Sequence, residues 1–266
     1  MKISQPFFCL NLSRTESQEE LMKEQNLEYN KSFIDTVDSL CGVNHRILIS
    51  KCGERVKIKS NNLPSSFCYI IDAPLSFFNM PCNQVGLIDF TRFERFYDAM
   101  SSKTVPASLS LNLDDENEAV EMIFKNETRS DKLTLRLGDT SLPTFDASFN
   151  ELAENSKDVT LELDEDTINE LQKKISIIGA DYIDVDANEN VLNFNIYTMR
   201  SADRADYPIF LNTPASKNFH LKFTAETLNL LPKGKYNLEV DAEGCLSLYQ
   251  IREDDIKVQI ALLAED

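Results

Sequence analysis

The residues able to carry out chemistry are few in this chain. His45 and His220 are the only imidazoles, so there is no histidine set for a metal cluster and only two candidate bases for a serine or cysteine nucleophile. Neither sits in a pattern with a Ser or Cys partner, and both read as structural or surface residues. The six cysteines (9, 41, 52, 68, 82 and 245) form no Cys-x-x-Cys and no metal-ligand spacing. They read as reduced thiols. Asp114-Asp115-Glu116 and Asp164-Glu165-Asp166 have the carboxylates that Mg²⁺ and phosphoryl chemistry require, but each falls at an expected turn or helix start. Seven glycines in total make neither a GxGxxG nor a Walker pattern, so no phosphate-cradling loop is expected. Cofactor chemistry has no foothold in these motifs, and none is expected.

The basic residues are more informative because they are scarce. The formal charge is −17, from 44 Asp and Glu against 27 Lys and Arg. Such a chain does not coat nucleic acid or anionic membranes indiscriminately, so any nucleic-acid surface has to be local. Arg92 and Arg95 fall on the polar face of an expected helix marked by Phe93, Phe96, Tyr97 and Met100, and Lys103 follows it. Lys173 and Lys174 lie opposite an Ile168, Leu171, Ile175, Ile178 stripe, while Lys233 and Lys235 follow a short last helix. Cations gathered on several helices imply phosphate contacts without base reading, hence salt-dependent and sequence-independent DNA association.

The elements that position these residues occur twice. Leu27–Ile34 matches Leu161–Ile168 at an offset of 134, Val56–Lys59 matches Val191–Phe194 at 135, and Ile88–Thr91 matches Leu221–Thr224 at 133. Three matches in the same order indicate a duplicated unit. Each unit has one helix, at Phe33–Cys41 and at Ile168–Ile178, then a hairpin, then a second helix. The hairpins are expected around Cys52-Gly53-Glu54 and Asn188-Glu189-Asn190. The remaining alternating segments read as strands. The fold class is α+β, two like domains of antiparallel sheet with helices on one face. Residues 1–137 are the first domain, with an acidic, helical insert near 13–25; 138–156 are a linker; 157–266 are the second domain. Leu142, Phe145, Phe149 and Leu152 suit a linker lying along a surface with a groove beside it. No apolar run is long enough for a spanning helix, and Met1–Leu12 does not read as a signal peptide, so the expected setting is cytoplasmic or nuclear, without membrane association and not secreted.

In this order, Ile175–Asp181, Thr227–Gly234 and the strand at Val258–Asp266 with its acidic tail resemble the sliding clamp family of DNA polymerase processivity factors. The resemblance is to the two-domain type of eukaryotes (proliferating cell nuclear antigen), archaea and T-even-like phages, and it covers about residues 27–266. It implies a non-enzymatic homotrimer, six like domains closed into a ring around double-stranded DNA. Two helices per domain line the inside and the strands form the outer wall. Arg95, Lys173 and Lys233 match cations of the inner helices; Arg92, Lys103, Lys174 and Lys235 join them on the helical reading. The first helix departs from that pattern, with Asp35 and Asp38 in place of cations and mainly Lys31 left. The resemblance also implies partners, namely DNA polymerase, a clamp loader and other proteins that dock short hydrophobic motifs beneath the linker. The matching positions are Leu142, Pro143 and Phe145 with Gly244, Cys245, Leu262, Leu263 and Ala264. Edge strands near Phe124 and Ile196 are the expected contacts between copies. Two alternatives stay open at this level: a clamp-fold polymerase accessory protein that does not encircle DNA, and an acidic metal-dependent phosphoesterase.

Overall fold

The computed structural model describes residues 23–41, 46–62, 67–140, 157–229 and 231–265. The first half runs β1 (Lys23–Tyr29), α1 (Lys31–Cys41), β2 (Ile47–Cys52), β3 (Arg55–Asn62), β4 (Phe67–Pro74), a 3-10 turn (Leu75–Phe77), β5 (Phe78–Asn79), β6 (Gln84–Leu87), α2 (Phe90–Met100), β7 (Ser108–Leu113), β8 (Ala119–Asn126) and β9 (Asp131–Arg136). The second half repeats it as β10 (Val159–Leu163), α3 (Glu165–Ile178), β11 (Tyr182–Asn188), β12 (Val191–Tyr197), β13 (Arg204–Phe210), β14 (Phe219–Thr224), α4 (Ala225–Asn229), β15 (Tyr236–Asp241), β16 (Cys245–Ile251) and β17 (Lys257–Leu263).

Local chemistry sets the helix limits. Asp89 caps α2 by accepting the Arg92 N–H at 3.0 Å, and Asp164 caps α3 by accepting the Thr167 N–H at 2.8 Å. Gly179 ends α3 in the left-handed region at φ 61°, where a residue with a side chain would be strained. The apolar stripe of α3 (Ile168, Leu171, Ile175) is buried, as expected; Ile168 and Leu171 meet Phe194, Leu228, Leu238 and Leu248. In the first half Phe33 of α1 is the hub. Its ring stacks on Phe78 at 4.3 Å and meets Phe77, Phe90 and Phe93 edge-on. A ring buried this way contributes about 2–3 kcal/mol by area.

The strands form three antiparallel sheets. One has the order β5-β1-β7-β8-β9, and one β13-β12-β11-β14. The third, with eight strands, is shared between the halves: β10-β15-β16-β17 joins β4-β3-β2-β6. The seam pairs Val258 with Ile71, Ile260 with Tyr69 and Leu262 with Phe67. Strands β11 and β12 alternate buried and half-exposed residues, so one sheet face meets α3 and α4 while the other is open.

Three expectations shift. The insert near 13–25 is not wholly helical, since residues 23–25 already belong to β1 and pair with β7; residues 13–22 lie outside the described residues. The duplication holds, with a different register after the first helix. Ile47, Ile49, Val56 and Ile58 take the places of Ile183, Val185, Leu192 and Phe194, and Leu87 takes that of Phe223, all 136 positions apart. A slip of one residue would turn each strand's core side outward, so burial selects 136 over 135. Finally, Phe124 on β8 and Ile196 on β12 each stand one strand inside a sheet edge, β9 and β13 respectively.

Candidate nucleic-acid interface and partner groove

The expected cations come from α2, α3 and the segments after α2 and α4. Arg92 and Arg95 are exposed on α2, and the Arg92 guanidinium lies over the Phe96 ring at 5.4 Å, which holds it against the helix. Lys103 is exposed in the loop after α2, Lys173 on α3, and Lys233 and Lys235 on the two sides of Gly234. Lys235 also reaches Glu162 at 3.4 Å. Lys174 departs from the expectation. Its ammonium sits over the Tyr207 ring of β13 at 5.8 Å, directed toward the sheet edge, because the helical turn carries it past the exposed face that Lys173 occupies. Lys31 opens α1, and its side chain lies outside the described residues.

Carboxylates interrupt this surface in the first half. Asp35 and Asp38 are exposed on α1, and Glu94 of α2 faces Asp38 across the helix pair. Burial first, then the hydrogen bond to Asp38, then the charges of Asp38 and Asp98 push the Glu94 carboxyl up to about 7. Glu94 is therefore partly protonated near neutrality, which softens the repulsion between α1 and α2. The second half has neutral groups at the same places: Gln172 of α3 donates to the carbonyls of Leu228 and Leu231 at 3.2 and 3.0 Å, and Ser176 bonds Asn229 at 3.1 Å.

The groove residues divide. Leu142, Pro143 and Phe145 lie outside the described residues. Gly244 turns β15 into β16 at φ 117°, and its carbonyl accepts the Ala264 N–H at 2.7 Å, which brings Cys245, Leu263 and Ala264 together. Leu262 departs from the expectation: strand alternation sends it into the core at 1% exposure, while Leu263 stands outward at 42%. Sequence reasoning missed the other wall. On the outward face of the shared sheet, Cys245 and Ala261 pack against Cys68 and Ile70 of β4. The unbroken apolar run Phe67–Ile71 was the available signal, since a strand with one wet face alternates. Burial, followed by the neighbouring Cys245, pushes the Cys68 thiol up to about 12, and burial raises Cys245 as well, so both stay neutral thiols.

The acidic triplets act as turn and cap residues. Asp114 accepts the N–H groups of Glu116 and Glu118 at 3.0 and 2.8 Å, and Asp164 caps α3. His220 bonds Asp186 at 2.5 Å on the open face of β14 and β11; His45 lies outside the described residues. Among the described residues no set of three or more His, Cys, Asp and Glu side chains is arranged to hold a metal ion, and no helix is long and apolar enough to cross a membrane.

Two like units of antiparallel sheet, each with a helix pair on one face and joined edge to edge through a common sheet, make up a fold of the two-domain clamp type. The structure is similar to the crystal structure of proliferating cellular nuclear antigen from Entamoeba histolytica, with a TM-score of 0.63 and 14% identity over 91% of this chain and 99% of that one. No protein-family model matches the sequence, and no curated protein matches it.

Proposed function

We propose that this chain is a sliding clamp, a non-enzymatic homotrimer that encircles double-stranded DNA without reading its sequence and tethers DNA polymerase, a clamp loader and other replication proteins. The observation that carries this reading is the equivalence of one closed seam with two open edges. Within the chain, β10-β15-β16-β17 meets β4-β3-β2-β6. The counterparts β1-β7-β8-β9 and β13-β12-β11-β14 end in edges that no described strand covers. If β9 of one copy pairs with β13 of the next as β17 pairs with β4, each junction repeats the last. Head-to-tail contacts of this kind close into a ring when the rotation fits. Two like units per chain and six per ring give three copies. Open strand edges are aggregation-prone unless covered, and closure covers both.

A ring converts weak phosphate contacts into a topological hold. Arg92, Arg95, Lys103, Lys173 and Lys233 supply exposed charge on the helix side, and the carboxylates of α1 keep that charge patchy, which suits sliding over gripping. Partners of this clamp dock an apolar peptide against Leu263, Ala264, Cys68 and Ile70. The test is solution mass and retention on DNA. A mass near 91 kDa, three times 30.3 kDa, with retention on closed circles and loss from linear DNA, is expected. A monomer mass, or equal retention on both, overturns the reading. Replacing Arg95 and Lys173 by Glu should weaken processive synthesis and leave the mass unchanged. Leu263→Asp should abolish peptide binding.

A further inference from the structure

The segment between α4 and β15 has its carbonyls drawn inward by three side chains from three elements. Gln172 of α3 takes that of Leu231, together with that of Leu228 inside α4. The Tyr236 hydroxyl donates to Pro232 at 2.6 Å, and Gln250 of β16 donates its Nε2 to Lys233 at 2.9 Å. Tyr236 and Gln250 are only 1% and 6% exposed, so these bonds are made away from solvent. Gly234 has φ 135°, and a Cβ placed on it would collide with the Gln250 Nε2. The amide thus occupies the space that any side chain at 234 would need. With the carbonyls held inside, Lys233 and Lys235 stand outside.

Gln250 is an unfavourable choice if its role is only to fill the core. Its Oε1 is buried without a partner among the described residues, a loss that a methionine of the same length avoids. What distinguishes glutamine here is the N–H that it gives to the Lys233 carbonyl. Carbonyl oxygens carry the negative end of the peptide dipole, and an unpinned segment is free to turn them toward a phosphate.

We infer that Gln250, with Gln172, is a positioning residue: it pins the 231–235 segment so that Lys233 and Lys235 face the phosphodiester backbone of the encircled duplex with the carbonyls turned away. This rests on the DNA-encircling reading above and assigns that surface two residues that never touch DNA.

The test uses the full-length protein and a short linear duplex, with affinity followed across salt concentrations. Gln250→Met should reduce the salt slope by about one for each lysine that swings away from its phosphate, with the solution mass and melting temperature kept. Lys233→Ala with Lys235→Ala should reduce it at least as much. Adding Gln250→Met to that pair should change nothing further, whereas general loosening of the fold would add to it. Gln172→Met repeats the test from α3 should Gln250→Met fail to fold. An unchanged slope in Gln250→Met beside a reduced one in the lysine pair overturns the positioning role and leaves DNA binding intact. An unchanged slope in the lysine pair, with Arg95→Glu still weakening binding, removes this segment from the DNA path and overturns the inference. Absence of salt-dependent binding by the unsubstituted protein removes the parent reading itself, and the inference with it.

Discussion

Arg55 begins β3 with its guanidinium against Asp72 of β4 and against Asp255 in the turn before β17, at 2.7 Å to the latter. It also donates to the carbonyls of both acids at 3.0 Å. In the second half the place of Arg55 is held by Val191, that of Asp72 by Pro208 and that of Pro74 by Phe210, which is 79% exposed. The same two-strand frame thus carries an ionic bolt where the chain closes on itself and an apolar rim where it stays open. A charge network satisfied within one chain needs no partner. An exposed Phe beside a Pro and a Val leaves apolar surface that gains by being covered. The helix pairs differ too, with facing carboxyls between α1 and α2 and neutral polar groups between α3 and α4.

The sharpest way to break this comparison is at the open edge. Leu133→Asp on β9 should cost the junction between copies about 3 kcal/mol by burying an unpaired charge, and sedimentation should show the mass fall toward that of one chain. A ring that survives places the junction elsewhere. Arg55→Ala at the closed seam should cost about 2 kcal/mol in denaturant unfolding while the solution mass stays that of the unsubstituted protein, because the bolt lies within a chain. Glu94→Gln probes the helix pairs. The raised carboxyl holds a proton that the unfolded chain releases, so its charge destabilises the fold above pH 7 and is relieved as pH falls toward 4.5. The substitution should therefore stabilise the protein by about 1 kcal/mol at pH 8, after allowance for solvent screening, with the gain shrinking toward pH 5. The smallest effect belongs to His220, whose pKa is raised by its bond to Asp186. Its contribution is complete below pH 6.5 and lost as pH rises through the folded value. His220→Ala should cost about 0.5 kcal/mol at pH 5.5 and nothing measurable at pH 9.

Much of this was legible beforehand, for reasons that differ by residue. The stripe of Ile168, Leu171 and Ile175, the Gly179 stop and the hairpin at Cys52-Gly53-Glu54 are local signals, and the structure has them where periodicity and turn chemistry place them. The duplication was visible as order, but its register was not. Val56 resembles Val191 in type, while burial pairs it with Leu192, and burial depends on strands far away in the chain. For the same reason β13, with Pro208 and two charged residues, carries no strand signal of its own, since tertiary pairing overrides propensity. Leu262 and Leu263 look alike in sequence, and only the phase of β17 separates core from surface. Gln172 and Gln250 gave no warning, because a glutamine's carbonyl partner is fixed by the fold.

The seam between β4 and β17 has a consequence for how the molecule comes into being. Ile71 finds its partner in Val258, 187 positions further along the chain (71 to 258). A ribosome that has released the first unit has therefore released a sheet with a bare flank, which must stay unaggregated until residues 257–263 have followed. Contacts this distant in sequence form late and slowly. Nascent chains stopped before Lys257 should cling to chaperones, and those carried past Leu263 should let go.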